Sequence, residues 1–260
     1  MNPSTSRLIS ATRLPTAPSL ASPLTRNSLM DIRSALSSYV HPPPDYKEKH
    51  AAVLVPLCNV NNISGMLLEV RGNRLRAHSG EVSFPGGRVD DTDASFDSAA
   101  LRETHEEVGI SPDQIELLGQ FGPPVLSLGG LRVYAYVGFL HASVAARMAV
   151  DSLGPDEPLP SVDLASLTLS PKEVAQAFHL PFSAACDTNR LRNHLFRGGE
   201  PYPTVDVTDL VTGVDWAKQG STPVDEVGGG RAGRLEVWGL TGWYLSVFLH
   251  ALGIERQWKQ

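Results

Sequence analysis

Cysteine is scarce in this chain, long apolar runs are missing, and acidic residues outnumber basic ones. The two cysteines among 260 residues, Cys58 and Cys186, lie far apart without metal-site spacing. This excludes a disulfide-rich scaffold and suits reduced, buried thiols in an intracellular protein. No apolar run approaches the about 18 residues that span a bilayer, so no membrane association is expected. The net charge of −6 argues against nucleic-acid binding, so local basic residues must bind any anionic ligand.

Two regions of different composition predict a tail followed by one domain. Residues 1–45 are rich in Ser, Thr and Pro and contain no acid before Asp31, which is typical of a disordered tail or a targeting segment. A peroxisomal or mitochondrial location is therefore predicted, with the cytoplasm as the alternative. Residues 46–260 are predicted to form the domain, whose hydrophobic share resembles that of ordinary globular proteins. A flexible insertion is predicted near residues 208–233, where three glycines are consecutive.

Hydrophobic periodicity predicts an α/β domain. One helix is predicted at Ala99–Val108 and another at Leu240–Leu252, with Trp243, Val247 and Leu252 facing inward. The predicted strands are rich in branched and aromatic residues. They are Ala51–Leu57, Gly65–Arg71, Ile115–Phe121, Leu131–Leu140, Glu173–Phe182, Leu191–Phe196, Pro203–Val207 and Leu235–Trp238, with a turn at Asn59–Asn62 between the first two.

The first predicted helix carries three acids on one face. At about 100° per residue, Glu103, Glu106 and Glu107 fall within one third of the helix circumference, and His105 points almost the opposite way. Like charges at this spacing cost about 0.2–0.5 kcal/mol per pair. A solvated acidic face is the simplest alternative, but the residues before the helix favour a site that binds cations.

A glycine turn and an acidic loop precede the acidic helix. Phe84, Pro85 and two glycines form a turn in which the backbone can approach a ligand closely. The loop that follows contains Asp90, Asp91 and Asp93, and either Asp93 or Ser95 is expected to cap the helix. A glycine loop that leads into a three-carboxylate face suits hard divalent cations that hold a phosphate chain.

This segment resembles the Nudix hydrolase family, whose motif ends in Arg-Glu-hydrophobic-x-Glu-Glu-x-Gly-hydrophobic. Counting from Gly87, Asp93 stands where the motif has Glu, and one extra residue separates it from Arg102. The resemblance implies the Nudix fold, an α/β/α sandwich around a mixed β-sheet. The residues that match the second half of the motif are Arg102, Glu103, Glu106, Glu107, Gly109 and Ile110, with Thr104 at a hydrophobic position.

The family resemblance also implies a metal-dependent catalytic site. It assigns Mg²⁺ or Mn²⁺ to Glu103, Glu106 and Glu107, with the Gly87 carbonyl as a further ligand. Arg102 is expected to act beside these catalytic acids by holding a carboxylate in an ion pair. Glu103 is the expected general base, and Glu173 and Glu157 are the alternatives from later loops.

A second motif overlaps the first and resembles the coenzyme A pyrophosphatase branch of the family. Its pattern is Leu-Leu-Thr-x-Arg-(Ser/Ala)-x3-Arg-x3-Gly-x3-Phe-Pro-Gly-Gly. Glu69 replaces the Thr of this pattern, and Gly72 replaces the Ser or Ala. Substrate contacts are therefore expected from five residues at motif positions, namely Arg71, Arg76, Gly80, Phe84 and Gly86.

The two motifs together predict an enzyme that cleaves the diphosphate of coenzyme A, or of its oxidised or acyl forms, to 3′,5′-ADP and 4′-phosphopantetheine. The expected partner is this small molecule, with no nucleic acid and no membrane, and the chain is expected to be a monomer or a homodimer. One alternative is a Nudix hydrolase of another nucleoside diphosphate derivative, such as a dinucleotide or a damaged nucleotide. Another is a catalytically silent module that senses a nucleotide.

Overall fold

The computed structural model describes residues 22–41, 44, 47–75, 78–196, 200–216 and 233–254. The helices are α1 (Arg26–Leu36), α2 (Phe96–Val108), α3 (Val144–Met148), α4 (Phe182–Ala185) and α5 (Gly239–Ala251). The strands are β1 (Lys49–Val60), β2 (Ile63–Arg71), β3 (Val82–Ser83), β4 (Gly86–Arg88), β5 (Ile115–Leu126), β6 (Leu131–Leu140), β7 (Val174–Pro181), β8 (Leu191–Phe196), β9 (Glu200–Asp206) and β10 (Glu236–Val237).

A mixed seven-stranded sheet forms the centre of the fold. Its main path runs β3-β2-β1-β6-β5, with β4 paired to β1 and β7 paired to β2. The β1–β6 pair is parallel, and the other pairs are antiparallel. A parallel pair needs a long crossover connection, and α2 lies within that connection. Strands β8, β9 and β10 form a second, smaller sheet.

Strand β1 shows why helices cover both faces of the sheet. Successive side chains of a strand point to opposite faces, and eight of the twelve residues of β1 are buried. Ala52 and Leu54 pack in the cluster that contains the apolar face of α2. Val55 and Leu57 pack in the other cluster, with residues of α1 and α5. The chain is therefore an α/β/α sandwich around a mixed sheet, as predicted.

The N-terminal segment differs from the sequence prediction. Residues 22–41 are not a disordered tail, because α1 packs on the sheet with Leu29, Ile32 and Leu36 buried. Thr25 caps this helix and forms a reciprocal capping box with Ser28. The Ser-, Thr- and Pro-rich composition of the whole segment concealed a short amphipathic spacing. Residues 1–21, on which the targeting prediction depends, lie outside the described residues.

Asn59 was predicted to lie in a turn but belongs to β1 and is fully buried. Its Oδ1 accepts a hydrogen bond from the Leu24 N–H at 2.7 Å. Its Nδ2 donates to the Leu24 carbonyl at 3.0 Å and to the Leu159 carbonyl at 2.8 Å. The true turn is the tight pair Asn61 and Asn62, both with positive φ, which suits a two-residue hairpin.

Helix α5 exists as predicted and Leu252 at its end is buried as predicted, but the rest of its buried face is rotated. Tyr244, Leu245 and Phe248 are buried, whereas Trp243 and Val247 are only partly buried. The Tyr244 hydroxyl donates to the Val133 carbonyl at 2.7 Å, which ties the helix to β6. Among the described residues, no helix combines the length and apolar character needed to cross a membrane.

The predicted insertion near 208–233 is partly folded. Residues 208–210 form a 3-10 helix, and the Thr208 hydroxyl accepts a hydrogen bond from the Leu235 N–H at 2.9 Å. Val211 is buried in the main core. The rest of the predicted insertion, residues 217–232, lies outside the described residues.

We expect the packing of α1 to contribute measurably to stability. Ile32→Ala should lower the free energy of unfolding by about 2–5 kcal/mol, because it removes a fully buried side chain and leaves a cavity. Met30→Ala is the matched control, because Met30 is 63% exposed and should change that free energy by less than about 0.5 kcal/mol. Urea denaturation followed by circular dichroism measures both. Equal effects would show that α1 is not docked.

Candidate active site

The acidic helix α2 is fixed at both ends by its sequence. Ser95 caps the N-terminus in a reciprocal box with Ser98, so the cap is Ser95 and not Asp93. Gly109 ends the helix at φ 73°, a left-handed conformation that favours glycine. Ala99, Ala100 and Val108 are buried against the sheet. Glu103 and Glu107 of this helix lie toward the glycine turn.

Two glycines of the turn bring the backbone against these acids. Gly86 has φ +149°, and its N–H donates to Glu107 Oε2 at 2.8 Å. A side chain at Gly86 would collide with the Ala52 carbonyl. A side chain at Gly87 would collide with the Glu103 carboxylate, so that carboxylate lies directly against the Gly87 backbone. Gly86 therefore requires glycine, because it meets backbone atoms, whereas a side chain at Gly87 would force the Glu103 carboxylate to move.

Arg102 connects the acidic loop to the acidic helix. Its guanidinium makes a bidentate ion pair with Asp93, with distances of 2.9 and 3.0 Å, and donates to the Arg88 carbonyl at 3.0 Å. Its Nη1 lies 3.2 Å from Glu103 Oε1 and 3.1 Å from Glu106 Oε2. Arg102 therefore forms ion pairs with carboxylates of both the loop and the helix. Asp93 serves this clamp, and the contact with Arg102 lowers the pKa of Asp93.

Sequence reasoning missed Glu69 as a residue of this site. It lies on β2, is fully buried, and accepts a hydrogen bond from the Ser83 hydroxyl at 3.1 Å. Arg71 Nη1 lies 3.8 Å from Glu69 Oε1 and 3.8 Å from Glu107 Oε1, so a single guanidinium stands between the two carboxylates. The available signal was an acid within an apolar strand, two residues from Arg71 and therefore on the same face.

Burial dominates the electrostatics of these acids. It is the main cause of the raised pKa values of Glu69, Glu103 and Glu107. The negative charge of Glu69 raises the pKa of Glu107 further, and Arg71 opposes the shift at both residues. Glu173 also raises the pKa of Glu69 and of Glu103, so it lies within electrostatic range of the group. We call Glu69, Glu103, Glu107 and Glu173 the acid cluster.

The donor set fits a hard divalent cation. Carboxylate and carbonyl oxygens are the ligands that Mg²⁺ and Mn²⁺ prefer. Glu103, Glu106, Glu107 and the Gly87 carbonyl would supply them, and Glu69 Oε2 is a buried oxygen with no hydrogen-bond partner among the described residues. In the part of the chain that is described, no three acidic, His or Cys side chains already converge on one cation position. Arginine guanidinium groups stand between the acids instead.

The residues predicted to contact substrate lie in different environments. Arg71 reaches the acid cluster with 24% of its side chain exposed. Phe84 is buried in the core, where its side chain packs beneath the turn, and its contact with substrate stays a prediction. Gly80 is buried too, has a φ of 69° and lies in the β2–β3 connection, and its contact with substrate stays a prediction. Arg76 lies outside the described residues.

The two alternative general bases, Glu173 and Glu157, lie in different parts of the fold. Glu173 lies near the acid cluster, and its carboxylate accepts a hydrogen bond from the Ser170 hydroxyl at 3.2 Å. Glu157 accepts a hydrogen bond from the Gly154 N–H at 3.0 Å, in the loop that contacts the start of α1. Because α1 covers the other face of the sheet, Glu157 is not placed to act on the acid cluster.

A cavity of about 650 Å³ lies at the N-terminal end of α2. Lys49 and His50 of β1, Arg88, and Phe96 are among the residues that line it. The rings of His50 and Phe96 are 4.9 Å apart between centroids. None of the acid cluster lines this cavity, as far as the described residues extend. The cavity is therefore distinct from the acid cluster, but Arg102 connects the two, because it contacts the cavity-lining residues Asp93 and Arg88 as well as Glu103.

Comparison with known proteins identifies the family. A family model described as the NUDIX domain matches residues 48–181, just over half of the chain, and this range includes the whole acid cluster. The chain belongs to the Nudix family. The fold predicted from the sequence motifs is therefore confirmed by the family match as well as by the architecture.

The curated relatives are bacterial Nudix proteins. An Enterobacter sp. (strain 638) protein named "Uncharacterized Nudix hydrolase NudL" is 39% identical over 142 residues, which cover 55% of this chain and 62% of the relative. A protein of the same name from Escherichia coli O1:K1 / APEC is 45% identical over 105 residues, which cover 40% of this chain and 54% of the relative. The chain therefore matches somewhat more than half of each relative's length.

Solved Nudix structures are more distant. A MutT/nudix family protein from Enterococcus faecalis is 23% identical, with a TM-score of 0.34 and coverage of 54% of this chain and 46% of that chain. The NUDIX domain of Shewanella oneidensis NrtR, solved with ADP ribose, is 18% identical, with a TM-score of 0.36 and coverage of 54% and 79%. At these values the likeness carries no argument about function.

The raised pKa values predict how stability depends on pH without added metal. The ordinary pKa of a glutamate is 4.5. At a pH just above this value the folded protein still holds protons on Glu69 and Glu107, whereas the unfolded chain has released them. The contribution of these two glutamates to the free energy of unfolding is therefore fully present below pH 4.5. It is lost as the pH rises through their pKa values in the folded protein, toward neutral and alkaline pH. In EDTA, the Tm should fall by several degrees between pH 5 and pH 9, as measured by calorimetry.

The Glu69→Gln variant provides the comparison for this pH series. Because it cannot ionise, its Tm should fall less steeply with pH than that of the wild type. Saturating Mg²⁺ should flatten the wild-type dependence, because a cation stabilises the ionised form. If the Tm of the variant falls with pH as steeply as the Tm of the wild type, Glu69 is not the source of the pH dependence.

Proposed function

We propose that this protein is a divalent-cation-dependent diphosphatase that hydrolyses coenzyme A, or its oxidised or acyl forms. In this reaction a water oxygen forms a bond to phosphorus, the bridging phosphorus–oxygen bond of the diphosphate breaks, and a water proton passes to a base. The products are 3′,5′-ADP and 4′-phosphopantetheine or its derivative. The oligomeric state and the organelle stay predictions.

One observation carries the substrate assignment. The coenzyme A motif over residues 67–87 is in register with the Nudix helix, and its Arg71 lies 3.8 Å from an oxygen of the helix acid Glu107. A guanidinium beside the carboxylates can bind one end of the diphosphate while they hold the cation. Coenzyme A also carries a 3′-phosphate, and the additional basic residues in this stretch suit such an anionic substrate.

The residues around the acid cluster divide the chemical work. A bound Mg²⁺ or Mn²⁺ would neutralise diphosphate oxygens and make a water more acidic at neutral pH. Glu103, Glu106, Glu107 and the Gly87 carbonyl would hold it. Arg102 fixes Glu103 and Glu106 in orientation through contacts of 3.2 and 3.1 Å, because its own position is set by Asp93.

Glu103 is the candidate for the proton-accepting role. Burial raises its pKa, so it accepts a proton more readily than an exposed glutamate does. Its carboxylate lies against the Gly87 backbone, beside the expected cation ligands. Glu173 is the second candidate, because it is exposed and within electrostatic range of Glu103.

A substrate panel tests the proposed activity. With Mg²⁺ or Mn²⁺, coenzyme A and acetyl-coenzyme A should be hydrolysed with higher kcat/KM than ADP-ribose and NADH. Chromatography of the products should identify 3′,5′-ADP. Preference for ADP-ribose or NADH would instead indicate another nucleoside diphosphate derivative. Absence of hydrolysis with every substrate and metal, despite nucleotide binding, would indicate a silent sensing module.

Glu106→Gln tests the proposed ligand set. Loss of a partner outside the first ligand shell of a metal typically costs 10–100-fold, so loss of a direct ligand should lower kcat by about a hundredfold or more. The fold should persist, because Glu106 is half exposed on the helix surface. His105→Gln is the matched control, since His105 is an exposed neighbour on the same helix. Equal activity of the two variants would remove Glu106 from the ligand set.

A further inference from the structure

Glu69 is a carboxyl group in the core whose charge is not fully compensated by its neighbours. Its side chain is fully buried, and its Oε2 has no hydrogen-bond partner within the described residues. Burying a carboxylate opposes folding unless the group is paired and hydrogen-bonded, so a buried carboxylate oxygen normally has a ligand. The neighbouring strand residues Leu68 and Val70 are buried and apolar, as expected for a central strand.

The groups around Glu69 do not balance its charge. Ser83 satisfies only Oε1. Arg71 lies 3.8 Å from that same oxygen, beyond hydrogen-bond distance, and is equally far from Glu107 Oε1. One guanidinium therefore serves two carboxylates, and the charges of Glu103 and Glu173 act on Glu69 as well. The interior between β2 and α2 therefore has more carboxyl groups than guanidinium groups, and one carboxyl oxygen there has no hydrogen-bond partner among the described residues.

We propose that Glu69 is an additional ligand of the divalent cation, from strand β2, opposite the ligands that helix α2 provides. This inference rests on the proposed function, because it concerns the cation of the same site. The family motifs do not assign this role, since the coenzyme A pattern has Thr at the Glu69 position. A carboxylate there would add a full negative charge to the cation site, and a Thr would not.

The competing explanation is that Glu69 serves only as the counterion of Arg71. A carboxylate with that role would be expected in direct, bidentate contact with the guanidinium, as Asp93 is with Arg102. Arg71 instead stands between Glu69 and Glu107 without a hydrogen bond to either. This position suits a cationic side chain that neutralises the ligands until a divalent cation binds.

Mn²⁺ binding to the full chain, measured without substrate by electron paramagnetic resonance and calorimetry, tests this inference. Glu69→Gln should weaken Mn²⁺ binding at least about tenfold or remove one bound ion per chain. Arg71→Gln should strengthen binding, because it removes a competing positive charge. Wild-type stoichiometry and affinity in Glu69→Gln would overturn the inference.

A double-mutant cycle separates the two explanations. If Glu69 ligates the cation, Glu69→Gln weakens Mn²⁺ binding also in the Arg71→Gln background. If Glu69 acts only through Arg71, its effect disappears in that background, and the inference is wrong. Glu116→Gln is the carboxylate control, because Glu116 pairs with Arg33 and His141 away from the acid cluster and should leave Mn²⁺ binding unchanged.

A second variant covers the case in which a buried Gln impairs folding. Glu69→Thr places the residue of the coenzyme A motif on the strand and should weaken Mn²⁺ binding as Glu69→Gln does, with unchanged circular dichroism. The outcome is independent of the substrate assignment. Glu69-dependent Mn²⁺ binding without hydrolysis of coenzyme A would overturn the proposed function alone. Hydrolysis with Mn²⁺ affinity indifferent to Glu69 would overturn this inference alone.

Discussion

The structure depends on carboxylates that are held close together in a space with little water. Glu103 and Glu107 from α2 face Glu69 from β2, and burial raises the pKa of each. Such crowding opposes folding, because each charge is desolvated and repels the others. A fold that maintains it must supply strong compensation nearby, from arginines in the chain and from cations in solution.

The elements around the acid cluster supply that compensation in two ways. The glycine turn lets backbone N–H and carbonyl groups reach the carboxylates, and Gly86 donates directly to Glu107. Arg102 and Arg71 supply positive charge. Asp93 fixes the position of Arg102, and Arg71 lies, partly exposed, between two acids. The sheet sets the separation between these groups, because β4, which carries the glycines, pairs with β1 beneath α2.

The parts of the site that were predictable from the sequence are those with local signals. The acid face of α2 follows from helical spacing, its end follows from Gly109, and the clamp follows from the place of Arg102 in the family motif. Glu69 was missed because its importance comes from a contact between β2 and α2, which are about 35 residues apart in sequence.

The N-terminal helix α1 was likewise missed because it depends on a contact that is distant in sequence. Its residues have the spacing of an amphipathic helix, but the surrounding Ser, Thr and Pro give the segment the composition of a tail. What distinguishes the two is a partner surface on β5, and only the folded chain supplies it. Composition averaged over 45 residues could not detect a docked helix of 11 residues.

Asn59 has a consequence for how the protein opens. One amide hydrogen-bonds to Leu24 and Leu159 and so joins three segments that are distant in sequence. If the N-terminal segment detaches, both polar atoms of this amide lose partners inside the central sheet, and the strand then contains an unsatisfied group. Local fraying of the N-terminal segment is therefore coupled to the C-terminal end of β1. Amide hydrogens of residues 24 and 159 should exchange with solvent together, as members of one cooperative unit.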